Sequence, residues 1–119
     1  LESYKKLIVW QRGIELVKEI YALTSNFPRS EIYALTDQMR RAAISIPSNI
    51  AEGQSRKNLK EYIQFLSIAY GSAAELETQL IIARDLYEDM NYEKSTSLLE
   101  EVLKMLNVMI QKLQNNPKS

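Results

Sequence analysis

The sequence predicts an all-α fold, an antiparallel up-down-up-down four-helix bundle. Two observations support this fold class. Apolar residues recur at spacings of three and four along most of the 119 residues, which is the period of amphipathic helices. Only three glycines and three prolines occur, and polar turns divide the chain into helical segments at about 9–24, 30–53, 58–89 and 92–114. Because the connections are short, consecutive helices should be antiparallel neighbours within a single domain, 1–119.

The first segment carries a wide apolar face. Two adjacent stripes run along it at helical spacing, as a bundle helix requires. The stripes are Trp10, Ile14, Val17, Tyr21 and Leu16, Ile20, Leu23, Phe27. Pro28 ends the helix, because proline disfavours helical geometry at the preceding residue. Residues 1–8 are expected to form an extended arm anchored by Tyr4, Leu7 and Ile8.

The second segment contains the stretch around which the chain is organised, Gln38 to Gly53. An apolar and a polar stripe run side by side through it, about 100° apart around the helix. The apolar stripe is Leu35, Met39, Ala42, Ile46, Ile50, and the polar stripe is Gln38, Arg41, Ser45, Asn49, Glu52. Polar side chains at the edge of a buried face are partly desolvated, so we expect them to have fixed partners.

Pro47 lies inside this pattern, so the helix either ends near Ile46 or continues with a kink. We favour the kinked helix, because both stripes extend beyond the proline. Ser30 is the expected N-cap, and Gly53 is the expected C′ residue that terminates the helix.

The third and fourth segments have clearer starts. Asn58, with Glu61 three residues later, resembles a capping box. The expected core stripe of the third helix is Leu59, Ile63, Leu66, Tyr70, Ala73, Leu76, Leu80, Ala83. Gly71 costs about 1 kcal/mol relative to alanine in a helix interior, so we expect a neighbouring helix to approach closely there. Asn91 opens the fourth helix, whose two apolar stripes run until Asn115, Asn116 and Pro117 stop it.

The run from Arg40 to Gly53, followed by Ala69 to Glu77, resembles the bacterial four-helix-bundle proteins encoded in intervening sequences of 23S ribosomal RNA genes. Trp10 and the Phe27-Pro28 pair also resemble that family, whereas Gly13 departs from the alanine expected there. The resemblance implies a pentamer of antiparallel bundles with a role related to nucleic acid. It also extends to the accessory proteins of diversity-generating retroelements, similar pentamers that bind nucleic acid and a reverse transcriptase.

Composition argues against an enzyme, a metal protein or a cofactor site. The chain has no cysteine and no histidine, which removes the usual thiolate and imidazole ligands, nucleophiles and bases. A di-iron bundle site requires Glu-x-x-His motifs. We therefore expect no catalytic, metal-binding or cofactor-binding residues. With no signal peptide visible and no run of 18 apolar residues, a cytoplasmic protein is expected.

Fifteen basic residues balance fifteen acidic ones, but the two halves differ. Residues 1–60 hold ten Lys or Arg and six Asp or Glu, whereas 61–119 hold five and nine. This asymmetry suits contacts between copies or a positive rim on a ring, although scattered solvated charge explains it equally well. Surplus apolar surface predicts a homo-oligomer, and the resemblance favours a pentamer.

The basic residues leave two functions open, nucleic-acid binding and a structural scaffold for protein partners. Arg41 is expected to pair with Glu52 or with Glu75, within or between subunits, and so to belong to the structural polar stripe. Arg40 is the better candidate for an exposed contact with phosphate. The residues of the possible nucleic-acid contact are Arg40, Arg56, Lys57 and Lys60.

Overall fold

The computed structural model describes residues 3–115, and 82 % of them are helical. Its four α-helices are α1 (Ile8–Thr24), α2 (Leu35–Gln54), α3 (Leu59–Leu86) and α4 (Glu93–Gln114). Short 3-10 helices at Tyr4–Lys6 and Arg29–Glu31 precede α1 and α2, and residues 3–115 contain no strand. The predicted all-α class is confirmed. The expected stop at Asn116 and Pro117 lies outside the described residues.

Contacts between neighbouring helices give their directions. Arg12 and Glu19 on α1 pair with Glu101 and Lys94 on α4, so residues later in α1 meet residues earlier in α4. The same reversal relates α2 and α3, where Ser45 meets Ser72 and Gly53 lies against Phe65. α1 contacts α2 and α4, and α3 contacts the same two helices. The four helices therefore close into an antiparallel bundle measuring 49 × 21 × 20 Å.

All four helices contribute to one apolar core, as their stripes predict. The largest fully buried side chains are Leu16, Ile20, Met39, Ile46, Ile50, Leu66, Leu76, Leu99, Val102 and Leu106. On α3 the stripe differs from the expected one, because Tyr70 is exposed and Ala69 is buried in its place. Ala69, three residues after Leu66, lies on the core side of the helix. Tyr70, four residues after Leu66, lies on the solvent side.

α2 passes through Pro47 without interruption, so the prediction of a continuous helix is confirmed. Gly13 of α1 faces the proline: a Cβ added at Gly13 would lie 3.5 Å from Pro47 Cβ, an ordinary contact. The C′ role predicted for Gly53 is wrong. Gly53 is helical, and no glycine in residues 3–115 has a positive φ. A Cβ at Gly53 would lie 2.8 Å from Phe65 Cβ, so this glycine lets α3 approach α2 closely.

The start predicted for α2 is also wrong. Ser30 lies in the 3-10 helix, and the chain turns at Ile32–Ala34 before α2 begins at Leu35. Glu31 accounts for the shift, because its carboxylate accepts hydrogen bonds from the hydroxyl of Tyr87 and, at 3.4 Å, from the Leu35 N–H. The contact between Glu31 and Tyr87 thus holds the segment that was predicted to be the first turn of α2.

Side-chain contacts mark both ends of α3 and the start of α4. Asn58 Oδ1 accepts from the Glu61 N–H at 2.8 Å, which confirms the predicted cap of α3. α3 ends at Leu86, three residues before the predicted end, where Tyr87 leaves the helix and packs against the ring of Phe27. The Asn91 side chain accepts from the Glu93 N–H at 2.9 Å where α4 begins.

Two further expectations are corrected. In the described part of the arm, residues 3–8, Tyr4–Lys6 form a 3-10 helix. Tyr4 packs edge-on against Trp10 and Leu7 contacts the core, whereas Ile8 is exposed. Gly71 has no atom within 4 Å of an added Cβ and faces away from the bundle, so the close approach expected there does not occur within this chain.

Candidate nucleic-acid interface

The polar stripe of α2 lies along its junction with α3, where part of it forms a hydrogen-bonded seam. The hydroxyls of Ser45 and Ser72 are 2.8 Å apart. The Asn49 amide donates to Ser45 Oγ at 2.9 Å and to the Ser45 carbonyl at 2.8 Å. These partly buried groups satisfy one another, which is the arrangement that partial desolvation requires. The seam therefore serves the packing of α2 on α3.

The charged members of the stripe have partners other than those predicted. Arg41 Nε lies 3.0 Å from Asp37 Oδ2, one turn earlier, and its side chain is 78 % exposed. Glu52 pairs with Arg56 one turn later, at 2.7 Å. Glu75 is exposed, as is Gln38, and Glu75 has no ion-pair partner within 4.0 Å among residues 3–115. The pairing of Arg41 with Glu52 or Glu75 is thus absent among residues 3–115, because Arg41 pairs with Asp37 and Glu52 pairs with Arg56, each one helical turn away.

Of the two adjacent arginines, Arg40 is the one that contacts another helix. Its Nε donates to Thr24 Oγ1 at 2.9 Å, and its guanidinium carbon lies 4.3 Å from the centre of the Tyr21 ring. Thr24 is buried. The roles predicted for the two arginines are therefore reversed: Arg40 joins α2 to α1, and Arg41 projects outward.

Basic residues collect at one end of the bundle, where α1 begins, α2 turns into α3 and α4 ends. We call this region, comprising residues 3–13, 48–64 and 104–115, the basic end. It holds eight Lys or Arg against two Asp or Glu, a net charge of +6. The remaining described residues hold six basic and twelve acidic side chains. The basic residues of this end are Lys5, Lys6, Arg12, Arg56, Lys57, Lys60, Lys104 and Lys112.

The centre of the basic end is the turn between α2 and α3. It borders a groove of about 520 Å³ lined by residues 53–59, Tyr62 and Leu113. Lys57 and Lys60 are exposed, and the Arg56 guanidinium lies 4.9 Å from the centre of the Phe65 ring. The first turn of α3 also points its backbone N–H groups toward this end, and helix N-termini favour anions.

Three of the four predicted contact residues therefore lie together, and one does not. Arg56, Lys57 and Lys60 occupy the basic end, whereas Arg40 is about 24 Å away along the axis of α2, at 1.5 Å per residue. Five other basic residues of this end escaped the sequence prediction. They are far apart in the chain, and the antiparallel topology brings them to one surface. Lys5, Lys6, Arg12 and Lys112 lie near helix ends, which is the signal that could have identified them, whereas Lys104 lies half-way along α4.

Residues 3–115 contain no group of three or more Asp or Glu side chains placed to hold a metal ion. Burial raises the pKa of the Tyr62 phenol above its ordinary value of 10.0, which keeps it neutral beside the groove. None of the helices in the described part of the chain is long and apolar enough to cross a membrane.

Comparison with known families decides the assignment. The sequence pattern of the 23S rRNA-intervening sequence protein family matches residues 5–108. The chain belongs to this family. The match covers α1, α2 and α3 entirely and α4 as far as Val108, and it includes Arg56, Lys57 and Lys60 of the basic end. The resemblance to the 23S rRNA intervening-sequence proteins found in the sequence is thereby confirmed.

A solved structure supports the fold of this family member. It is the crystal structure, at 1.70 Å resolution, of a protein of unknown function from the S23 ribosomal protein family of Bacteroides thetaiotaomicron. The two chains superpose with a TM-score of 0.77 at 24 % identity, over 87 % of this chain and 98 % of the other. Among curated proteins no match is found.

Proposed function

We propose that this family member is a non-enzymatic, self-assembling protein that binds nucleic acid through its basic end. The observation that carries the proposal is the concentration of eight basic against two acidic residues at one end of the bundle. Phosphate contacts supply most of the affinity in non-specific nucleic-acid binding, and Lys and Arg provide them. Membership of a family named for 23S rRNA intervening sequences agrees with this function, and RNA binding implies a cytoplasmic location.

The neutral total charge is compatible with this function. Electrostatic interactions in water are screened over about 8–10 Å at physiological salt, and the bundle is 49 Å long. A phosphate at the basic end is therefore attracted by the local charge and is little affected by acidic residues at the far end. The basic residues of this end therefore set the potential that a phosphate meets there, apart from Arg12, which Glu15 and Glu101 offset.

A salt titration tests the proposal. Fluorescence anisotropy with labelled single-stranded RNA, duplex RNA and duplex DNA gives the dissociation constant between 50 and 200 mM salt, a range over which phosphate contacts are clearly visible. Each contact contributes a slope of about −0.7 for a single strand and −0.9 for a duplex. We expect Lys57→Ala and Lys60→Ala each to flatten the slope by about one unit.

Arg29→Ala is the matched control, because it removes the same charge from an exposed site at the opposite end. Binding that does not depend on salt, or that weakens as much with Arg29→Ala as with Lys57→Ala, would reject the basic end as the interface. No binding to any of the three nucleic acids would favour the second candidate function.

The second candidate is a scaffold or adaptor for protein partners. The segment between α1 and α2 favours it, because Tyr33 is 95 % exposed and Ile32 beside it is exposed as well. Large apolar side chains on a surface segment are typical of protein contacts. This segment lies at the end opposite the basic end, so Tyr33→Ala should leave the anisotropy titration unchanged whichever function is correct.

Self-assembly is part of the proposed function, and we propose a closed homo-oligomer, with five subunits as the resemblance implies. Several large apolar side chains stay exposed on α1, α2 and α3 after the core is formed. Light scattering of the purified protein tests this at micromolar concentration. A mass of 13.8 kDa, that of a single chain, would reject it.

A further inference from the structure

The junction of α1 and α2 forms an apolar groove on the outside of the bundle. Its volume is about 320 Å³, and its lining includes Trp10, Ile14, Val17, Ile44, Pro47 and Ala51. Ile44 is 42 % exposed. One side of the groove is formed by the partly exposed apolar stripe of α1, and the other side by apolar residues of α2. We call it the α1–α2 groove.

A second apolar surface runs along the outward side of α3. Ile68, Ile82 and Leu86 are all exposed there, and Ile68 is 46 % exposed. Gly71 and Glu75 continue the same side at helical spacing, and nothing within 4 Å faces Gly71. We call these five residues the α3 stripe. A glycine in a helix interior costs about 1 kcal/mol, and nothing inside the chain accounts for it.

The two surfaces carry opposite charge. Lys18 follows Val17 of the α1–α2 groove, and Arg40 and Arg41 lie about one helical turn before Ile44. Asp37, which pairs with Arg41, is the acidic residue on this side of α2. Along the α3 stripe the outward positions hold Glu75 and Asp85. Arg84 turns away into the cleft between α3 and α4. The groove margin is therefore positive and the stripe negative.

The first part of the α3 stripe lies at the same height along the bundle as the groove. Gly13, in the middle of the groove, faces Pro47, and Ser72, beside Gly71, contacts Ser45. The groove is thus centred near Pro47 of α2, and Ile68 and Gly71 are the stripe residues that lie at that height, with Glu75 one turn beyond. In a ring, subunits are related by rotation without translation, so two contacting surfaces must share the same height when the bundles stand parallel to the ring axis.

From these observations we infer that the α1–α2 groove of one copy receives the α3 stripe of a second copy. The inference rests on the self-assembly proposed above and adds the surfaces that perform it. Two different surfaces in contact make a head-to-tail interface, which closes into a ring when the rotation from one copy to the next divides a full turn evenly. Gly71 leaves room for the bulky side chains of the groove, and the partner's basic margin gives Glu75 an opposite charge. This arrangement places every basic end on the same rim.

Three lysine substitutions test the interface. Ile44→Lys alters the groove, Ile68→Lys alters the stripe, and Ile81→Lys is the matched control. Ile81 lies on α3 with nearly the same exposure as Ile68, 47 % against 46 %, but borders α4. By light scattering we expect the first two variants to fall to 13.8 kDa and the control to keep the mass of the unsubstituted protein.

Mixing the two disrupted variants gives a sharper result. Each retains one intact surface, so a 1:1 mixture should form a heterodimer of twice 13.8 kDa and stop there. Heterodimer formation also shows that both variants are folded. Glu75→Lys is a second stripe variant at an exposed position, and it should raise the concentration needed for assembly at least tenfold.

The outcomes separate the two proposals. If the unsubstituted protein is a monomer, self-assembly itself fails. If it is an oligomer that Ile44→Lys and Ile68→Lys leave intact, self-assembly stands and these surfaces are wrong. If Ile81→Lys dissociates the oligomer as fully as Ile68→Lys, or the mixture stays monomeric, the assignment of groove to stripe is overturned.

Discussion

At the scale of single residues, two helix glycines differ in whether the structure has room for an added Cβ. Gly53 is required by packing, because an added Cβ would meet Phe65 Cβ at 2.8 Å, too close to the α3 backbone to relax cheaply. Gly13 has room, because its Cβ would contact Pro47 at an ordinary 3.5 Å. Replacement by alanine should therefore change the free energy of unfolding in opposite directions at the two positions.

We predict that Gly53→Ala lowers the free energy of unfolding by about 1–3 kcal/mol, as overpacking does. Gly13→Ala, the matched control, should raise it by about 0.5–1 kcal/mol through helix propensity. Urea denaturation followed by circular dichroism measures both. A neutral or stabilising Gly53→Ala would show that α2 and α3 can separate without loss.

Arg40 and Arg41 form a second pair of contrasting neighbours. We predict that Arg40→Ala costs about 1–2 kcal/mol, because it removes the bond to buried Thr24 and the contact with the Tyr21 ring. Arg41→Ala should change stability by less than about 0.5 kcal/mol, since its pair with Asp37 is exposed. Urea denaturation in dilute solution compares them. Equal effects would contradict the roles that the structure gives them.

At the scale of elements, the start of α3 depends on a local cap. Asn58 accepts from the Glu61 N–H and donates its amide to the Glu61 carboxylate at 2.7 Å. We predict that Asn58→Ala costs about 1 kcal/mol, whereas Asn58→Asp retains the cap acceptor. Thermal melts of both variants test this. If Asn58→Asp were as unstable as Asn58→Ala, the amide donor and not the cap acceptor would matter.

At the scale of the whole molecule, several tyrosines couple stability to alkaline pH. Burial raises the pKa of Tyr62 and of Tyr92, and the hydrogen bond to Glu31 raises that of Tyr87, all above 10.0. Below pH 10 these phenols are neutral in both the folded and the unfolded chain, so their contribution to stability is complete. Above it the unfolded chain ionises first, and stability falls as pH rises through the folded pKa values.

We predict that the free energy of unfolding decreases above about pH 10, and that Tyr62→Phe makes this decrease less steep. Urea denaturation at a series of alkaline pH values measures the slope. The control is Tyr33→Phe, whose ring is 95 % exposed. A slope that Tyr62→Phe leaves unchanged would mean that the buried ring does not hold its proton against the unfolded chain.

The sequence by itself determined the class of this protein and most of its helices. The apolar period of α1 through α4 depends only on spacing along one chain, so most core positions, the passage of α2 through Pro47 and the cap at Asn58 were predicted correctly. Tyr70 was wrongly placed in the core stripe of α3. The family was predictable for a related reason, because the runs Arg40 to Gly53 and Ala69 to Glu77 can be recognised without any coordinates.

Only the tertiary structure decided which side chains meet. Arg40 and Arg41 are adjacent in the sequence, and the position of Thr24 and Tyr21 on α1 determines which one is held. Gly53 and Gly71 look alike in the sequence. Only the structure shows that Gly53 packs closely against α3, whereas Gly71 has no neighbouring atom within 4 Å of an added Cβ. The basic end is assembled from three stretches of the chain. Periodicity describes one helix at a time, whereas these features depend on distances between helices, which arise only when the bundle closes.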